Sequence, residues 1–315
     1  MSLSRLWIAV VLVILSRSTA NAGEIEDRIA EYLAVERQVY SSMSVLIHRS
    51  SLSQFFDEKM EENISGSECW QRLIICRDTN EIRMDGRKFQ YGASGTSEDA
   101  QLIAGDECLY WQSIILKPSI ERIEMKAGRP MKVTTTRRVD PFSLLGGNCV
   151  TAFGEDLYSN IFHEKFEVVE EYPLKDGRYR AYLVPNDLGA WEVTFAKEPT
   201  WAPVQFRMFS RDSFPKPKGK LDGETITKWN LVCTTTTEWQ RIDDEPDWLP
   251  SRITMECETQ RLVNLEFLFT DWKLGKDVDR SLLQKSQFTP QNIPKQIDFE
   301  KVTAAFDEMR AKQKK

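Results

Sequence analysis

The sequence predicts a mainly β protein with some helix: a curled antiparallel half-barrel sheet with helices over its concave face. Long stretches alternate apolar and polar residues at a period of two, the pattern of half-buried strands. Turn signals such as Asp176-Gly177 separate them by intervals too short for crossover helices, which favours antiparallel neighbours. Amphipathic segments near both ends of the chain supply the helices.

The chain opens MSLSRLWIAVVLVILSRSTANAGE. Arg5 gives a positive start, Leu6 to Leu15 an apolar run, and Ala20-Asn21-Ala22 a small-x-small site, so residues 1–22 are predicted to be a signal peptide cleaved after Ala22. Ten apolar residues make a helix of about 15 Å against a hydrocarbon core of about 30 Å, too short for a membrane anchor. No later stretch approaches 18 apolar residues, so no stable membrane insertion is expected after cleavage. The expected location is exported, periplasmic or extracellular. Loss of Arg5 and Arg17 takes the 42 Lys and Arg to 40 against 48 Asp and Glu, a net charge near −8. An acidic chain without a basic block is a poor partner for nucleic acid or for anionic lipid surfaces. Residues 23–315 are read as a single domain, long enough to bury roughly three quarters of its surface.

Residues 24–40 place Ile25, Ile29, Tyr32, Leu33 and Val39 on one helical stripe, interrupted only by Glu36. At 42–48 the period changes to two, with Met43, Val45 and Ile47 alternating with polar partners. Further strands are predicted at 70–77, 81–92, 108–116, 120–127, 131–139, 165–172, 178–184, 190–197 and 203–210. Residues 153–164 and 298–313 read as helices, and the Pro/Gly/Lys-rich 214–224 as a connecting loop.

The C-terminal third carries the clearest pattern. In KWNLVCTTTTEWQR (228–241), Trp229, Leu231, Cys233 and Trp239 are all odd-numbered; in 249–270 so are Leu249, Ile253, Met255, Cys257, Val263, Leu265, Phe267 and Phe269. Side chains alternate faces along a strand, so this reads as one long hairpin ribbon, apolar within and wet outside. A single strand over 249–270 would be about 70 Å long, so it must bend. The predicted apolar lining is Trp229, Leu231, Trp239, Ile253, Met255, Val263, Leu265, Phe267 and Phe269. Pairing Cys233 with Cys257 sets Thr235 against Met255, Trp239 against Ser251 and Trp229 against Arg261. Opposed Cβ atoms about 4.5–5.5 Å apart suit a disulfide, so a Cys233–Cys257 bridge is expected, with two buried thiols as the alternative. For Cys69, Cys76, Cys108 and Cys149, three pairings stay open.

Trp248-Leu249-Pro250, the alternating strand after it and LEFLFTDWKLGKDVDRSLL (265–283) resemble the end of LolA-like proteins, the periplasmic lipoprotein-carrier superfamily, with secreted relatives in bacteria of planctomycete type. The N-terminal order, with Ile-Arg-Met-Asp-Gly-Arg at 82–87, is also similar. The resemblance implies a LolA/LolB-like half-barrel closed by helices, one that holds acyl chains; it carries over no functional residue.

No catalytic constellation is legible. The chain has two histidines, His48 and His163, and no Gly-x-Ser-x-Gly elbow for either to serve. His163-Glu164 is followed by Glu at 167, where a zinc-protease helix needs its second His. Cys69 and Cys76 are too far apart for a zinc knuckle, and no phosphate-cradling glycine loop is present. Asp243-Asp244-Glu245 sits at a hairpin tip and reads as solvated charge. Asn63-Ile64-Ser65 is a glycosylation sequon in a eukaryotic host. No cofactor and no metal are expected. The function expected is a non-enzymatic carrier or binding protein for a lipid or lipidated protein; the alternative is an envelope scaffold with a filled core.

Overall fold

The computed structural model describes residues 24–39, 41–56, 62–76, 78–79, 81–90, 95–104, 107–116, 122–126, 131–132, 136–138, 151–153, 166–186, 189–196, 202–211, 221–241, 248–258 and 262–284. The signal segment 1–22, most of the predicted helix 153–164 and all of the helix 298–313 lie outside them, as do His163 and Cys149.

Helix α1 (Glu24–Val39) comes first, with Glu24, Glu26 and Asp27 in its opening turn, where acids favour the helix dipole. Nine segments follow: β1 (Ser42–Phe56), β2 (Glu62–Cys76), β3 (Glu81–Gln90), β4 (Gly95–Ala104), β5 (Glu107–Leu116), β6 (Arg122–Lys126) and the short β7 (Met131–Lys132), β8 (Thr136–Arg138) and β9 (Thr151–Phe153). The second half holds β10 (Glu167–Pro173), β11 (Tyr179–Asn186), β12 (Gly189–Phe195), β13 (Pro203–Ser210), a one-turn α2 (Gly223–Ile226), β14 (Asn230–Arg241), β15 (Trp248–Glu258) and β16 (Leu262–Leu274). Two 3₁₀ turns, Gly275–Asp277 and Arg280–Leu283, end the described chain.

Fourteen strands form one antiparallel sheet in the order β10 to β16, then β1 to β6, with β7 beside β5. Among the described strands the two outer members of that order, β10 and β6, do not pair with each other, so the sheet is open. Apart from β7, which pairs with β5 past β6, every neighbour is also a neighbour in sequence except at β16–β1, where the last strand meets the first, with Ile47 opposite Phe269 and Arg49 opposite Phe267. The Asp176-Gly177 turn joins β10 and β11 as its sequence suggests: Gly177 takes φ +81°, and Gly177 N–H donates to Leu174 O at 3.1 Å.

Two expectations about the ribbon are corrected. Residues 249–270 are not one strand; they split into β15 and β16, which pair with each other as a hairpin. The pairs Cys257–Val263, Met255–Leu265 and Ile253–Phe267 match odd with odd, so the alternation survives the turn. Trp239 faces Pro250 and not Ser251, because Ser251 is an extra residue whose Oγ donates to Glu238 O at 3.1 Å.

One face of the sheet, here called inner, holds the main core. Ile25, Ile29 and Tyr32 of α1 pack there with Met43, Val45 and Ile47 of β1, Leu73 and Ile75 of β2, and Phe267 and Phe269 of β16. A fully buried Phe or Ile contributes about 1.5–3 kcal/mol by its removal from water. The outer face is not uniformly wet. Val278 and Leu283 of the 3₁₀ segment cover Ile74, Cys76 and Leu102, and α2 packs Ile226 with Tyr182, Ala190 and Phe209. Strand β12 is therefore buried on both faces from Ala190 to Phe195.

Candidate binding face

Pairing registers lay the inner face out in rows across the strands. One row runs Met43, Ile75, Ile82, Ile103, and the next Val45, Leu73, Met84, Gln101. Then come Phe269, Ile47, Gln71, Gly86 and Asp99, followed by Ile253, Phe267, Arg49, Cys69 and Lys88. The last rows hold Met255, Leu265, Ser51 and Ser67, then Met208, Cys233, Cys257 and Val263.

Helix α1 is fixed at its start. Glu171 of β10 accepts hydrogen bonds from Glu24 N at 3.1 Å and Ile25 N at 2.8 Å, and Tyr179 Oη donates to Glu24 Oε2 at 3.4 Å. These bonds satisfy two of the N–H groups that a helix start leaves free. Burial, with the Glu171 and Glu24 charges beside it, pushes the Tyr179 hydroxyl up to about 12. The C-terminal end of α1 leads into Ser42, so the helix covers the Met43 end of the face. At the opposite end Val168, Met208, Val232, Cys257 and Leu265 are only partly buried, yet contiguous with the core.

Of the predicted lining, Ile253, Met255, Phe267 and Phe269 are buried in the main core. Leu265 and Trp239 pack against it partly buried, and Trp239 Nε1–H donates to Pro203 O at 3.2 Å. Val263 is paired with Cys257 in register; its side chain lies outside the described set. Trp229 and Leu231 are corrections: both lie on the outer face, in the α2 cluster, with the Arg211 guanidinium over the Trp229 indole, 5.9 Å from its centroid. The cause is a β-bulge. Met208 faces Cys233 but Phe209 faces Leu231, leaving Val232 unmatched. That extra residue reverses the alternation, so Val232 joins Cys233 at the inner face and Leu231 turns outward.

Cys233 and Cys257 are directly opposed, as the sequence predicts, with Sγ atoms 3.1 Å apart and both thiols free. The Cys233 thiol beside it holds Cys257 below its ordinary value. Cys69 and Cys76 are also free thiols and point to opposite faces of β2; the side chains of Cys108 and Cys149 lie outside the described set. His48 is on the outer face, its Nε2 2.5 Å from Glu68 Oε2 and its ring stacked on Trp70 at 4.5 Å.

Sequence reasoning passed over the polar members of the inner face. Arg49 continues the odd-numbered series Met43, Val45, Ile47, a signal that was available. Asp99 lies across Gly86, where an added Cβ would come within 2.8 Å of its Oδ1, so the glycine makes room for the carboxylate. Burial first, then the Asp85 charge, raises the Asp99 carboxyl against the pull of Lys88. Burial likewise raises the Cys69 thiol, opposed chiefly by Arg49.

No protein-family model matches the chain, and no curated protein matches it. Among solved structures it is similar to a LolA superfamily protein from Nitrosomonas europaea, 14% identical, with a TM-score of 0.38 over 84% of this chain and 99% of that one. It is also similar to a DUF1329 family protein from Desulfovibrio piger, 8% identical, with a TM-score of 0.38 over 84% and 97%.

Proposed function

We propose that this protein is an exported, non-enzymatic carrier that binds an acyl chain, of a lipid or a lipidated protein, at the end of the inner face beyond α1. The observation carrying this reading is the partly buried apolar group Val168, Met208, Val232, Cys257 and Leu265, continuous with the core. Apolar side chains left at one end of an otherwise buried face are the contacts a hydrocarbon chain needs, and grouped exposure of this kind marks binding surfaces.

The sheet curls around α1 in this reading. Seven inter-strand steps separate β10, which holds the start of α1, from β1, which follows its end. On a flat sheet that is about 34 Å, whereas a 16-residue helix is about 24 Å long. A Cys233–Cys257 disulfide then ties β14 to β15 beside the apolar group, formed by a protein or small-molecule disulfide that takes the two electrons while two protons leave the thiols.

The test is purification of residues 23–315 from the native host and solvent extraction followed by mass spectrometry. A bound acyl lipid or lipidated protein at near-stoichiometric amount is the expected result; a clean extract from protein that also fails to take up added lipid overturns it. The second reading, a scaffold with a filled core, draws on Ile253, Phe267 and Phe269, each at most 2% exposed. It predicts the clean extract.

A further inference from the structure

Arg49 differs from the ion-paired arginines of the sheet. Arg83 pairs with Asp85, Arg72 with Asp271, and Arg180 and Arg207 with Glu192. Among the described residues no carboxylate pairs with Arg49, and its buried Nε has no hydrogen-bond partner. Its neighbours in the row are Phe267 on β16, fully buried, and Cys69 on β2. A half-buried guanidinium beside a buried phenylalanine, with no carboxylate paired to it, has donors open to an incoming anion.

We propose that Arg49, together with Lys88 in the same row, holds the phosphate of an acyl lipid whose tail lies against Leu265 and Met208. This rests on the acyl-binding reading above and names the head group that reading leaves open. Lys88 stands two strands from Arg49, about 10 Å at the backbone, with Cys69 between them. Both side chains are long enough to converge on one group over Cys69. A planar fork and a point cation suit the several oxygens of a phosphate better than a single carboxylate. The next row adds hydroxyls, with Ser51 Oγ and Ser67 Oγ 2.7 Å apart. The acids near the site are Asp99, one row away over Gly86, and Glu68, on the outer face with His48.

The experiment is calorimetric titration of residues 23–315 with lysophosphatidate, lysophosphatidylcholine and a fatty acid of equal chain length, each below its micelle concentration. Lysophosphatidate is expected to bind at least 10-fold more tightly than the choline lipid. Arg49→Gln should remove most of that preference and Arg49→Lys should keep it, with thermal melts confirming that each variant folds. If Arg49→Gln does not fold, Lys88→Gln carries the test, since Lys88 is exposed. Equal affinities for the two lysolipids, or a preference unchanged in the glutamine variants, overturns the head-group assignment and leaves acyl binding standing. A fatty acid binding tightest overturns the phosphate in favour of a carboxylate. Failure of all three to bind removes the acyl-binding reading itself.

Discussion

The two halves of the sheet meet at β16 and β1 and fill the same inner face differently. On the β10–β16 side the apolar rows run to the end of the face, through Met208, Cys257 and Leu265. On the β1–β4 side they stop at Ile47, and Arg49, Cys69, Lys88 and Ser51 follow. The outer faces differ as well. Beneath the 3₁₀ segment, Arg83 and Asp85 are buried as a pair, and Arg83 Nη1 donates to Leu282 O at 2.6 Å; in the other half, Glu192 is buried between Arg180 and Arg207, and Tyr182 Oη donates to it at 3.0 Å. Among the described residues, the buried charges of the outer face are ion-paired, whereas Arg49 on the inner face pairs with no carboxylate. In the acyl-binding proposal, that contrast separates groups that hold the fold from groups that meet the ligand.

The sharpest test of the contrast is Arg83→Ala. It leaves Asp85 buried without its cation, and loss of one partner of a buried pair costs about 3–5 kcal/mol. Chemical denaturation should show that drop, while Arg83→Met with Asp85→Leu recovers most of it. Arg49→Gln, which leaves no buried carboxylate stranded, should cost far less than Arg83→Ala. Equal losses at the two arginines would erase the distinction.

Next come two apolar residues on one strand. Phe267→Ala should cost about 3–5 kcal/mol, the range for a fully buried aromatic. Leu265→Ala, two residues on and only partly buried, should cost about 1–2 kcal/mol in denaturation yet weaken acyl uptake more than Phe267→Val does. If Leu265→Ala leaves uptake unchanged, the partly buried group is ordinary core margin.

Oxidation of Cys233 and Cys257 should raise stability by about 3 kcal/mol, the loop-closure value for a bridge of this span. Peptide mapping after treatment with oxidised glutathione should find those two residues linked, and the gain should vanish in Cys257→Ser. Two alkylatable thiols after that treatment would rule the bridge out.

Much of this was legible because parity is conserved across hairpins. Cys233 with Cys257 and Met255 with Thr235 followed from odd-numbered residues alone, and the pairing of β15 with β16 kept odd opposite odd. What failed was parity at bulges. Val232, Ser251 and the pair Asp271–Trp272 each add a residue that no composition signal marks, and each changes which neighbour is faced. Asp271 reaches φ +51°, which Asp tolerates better than most residues, and its carboxylate takes Arg72 at 2.6 Å. Strand β4 was missed for a different reason: Gly95-Thr96-Ser97-Glu98-Asp99 has no apolar alternation, and it is held by backbone pairing to β3 and β5. The same blindness hid Arg49, a charge where the series promised another Ile.

The smallest expected effect is at Asp99. Its carboxyl is raised by burial and by Asp85, so the folded protein holds that proton more tightly than the unfolded chain, whose ordinary value is 3.8. Protonated Asp99 therefore stabilises the fold fully below that value, and the contribution is lost as pH rises through the raised one. Asp99→Asn should be more stable than the parent at neutral pH, by less than about 1 kcal/mol, and the difference should shrink towards pH 4. Denaturation at several pH values reads this directly. The substitution also removes a negative charge one row from Arg49 and Lys88, so lysophosphatidate should bind the variant more tightly at neutral pH than it binds the parent. A variant that gains stability but no affinity would place Asp99 outside the field of the two cations.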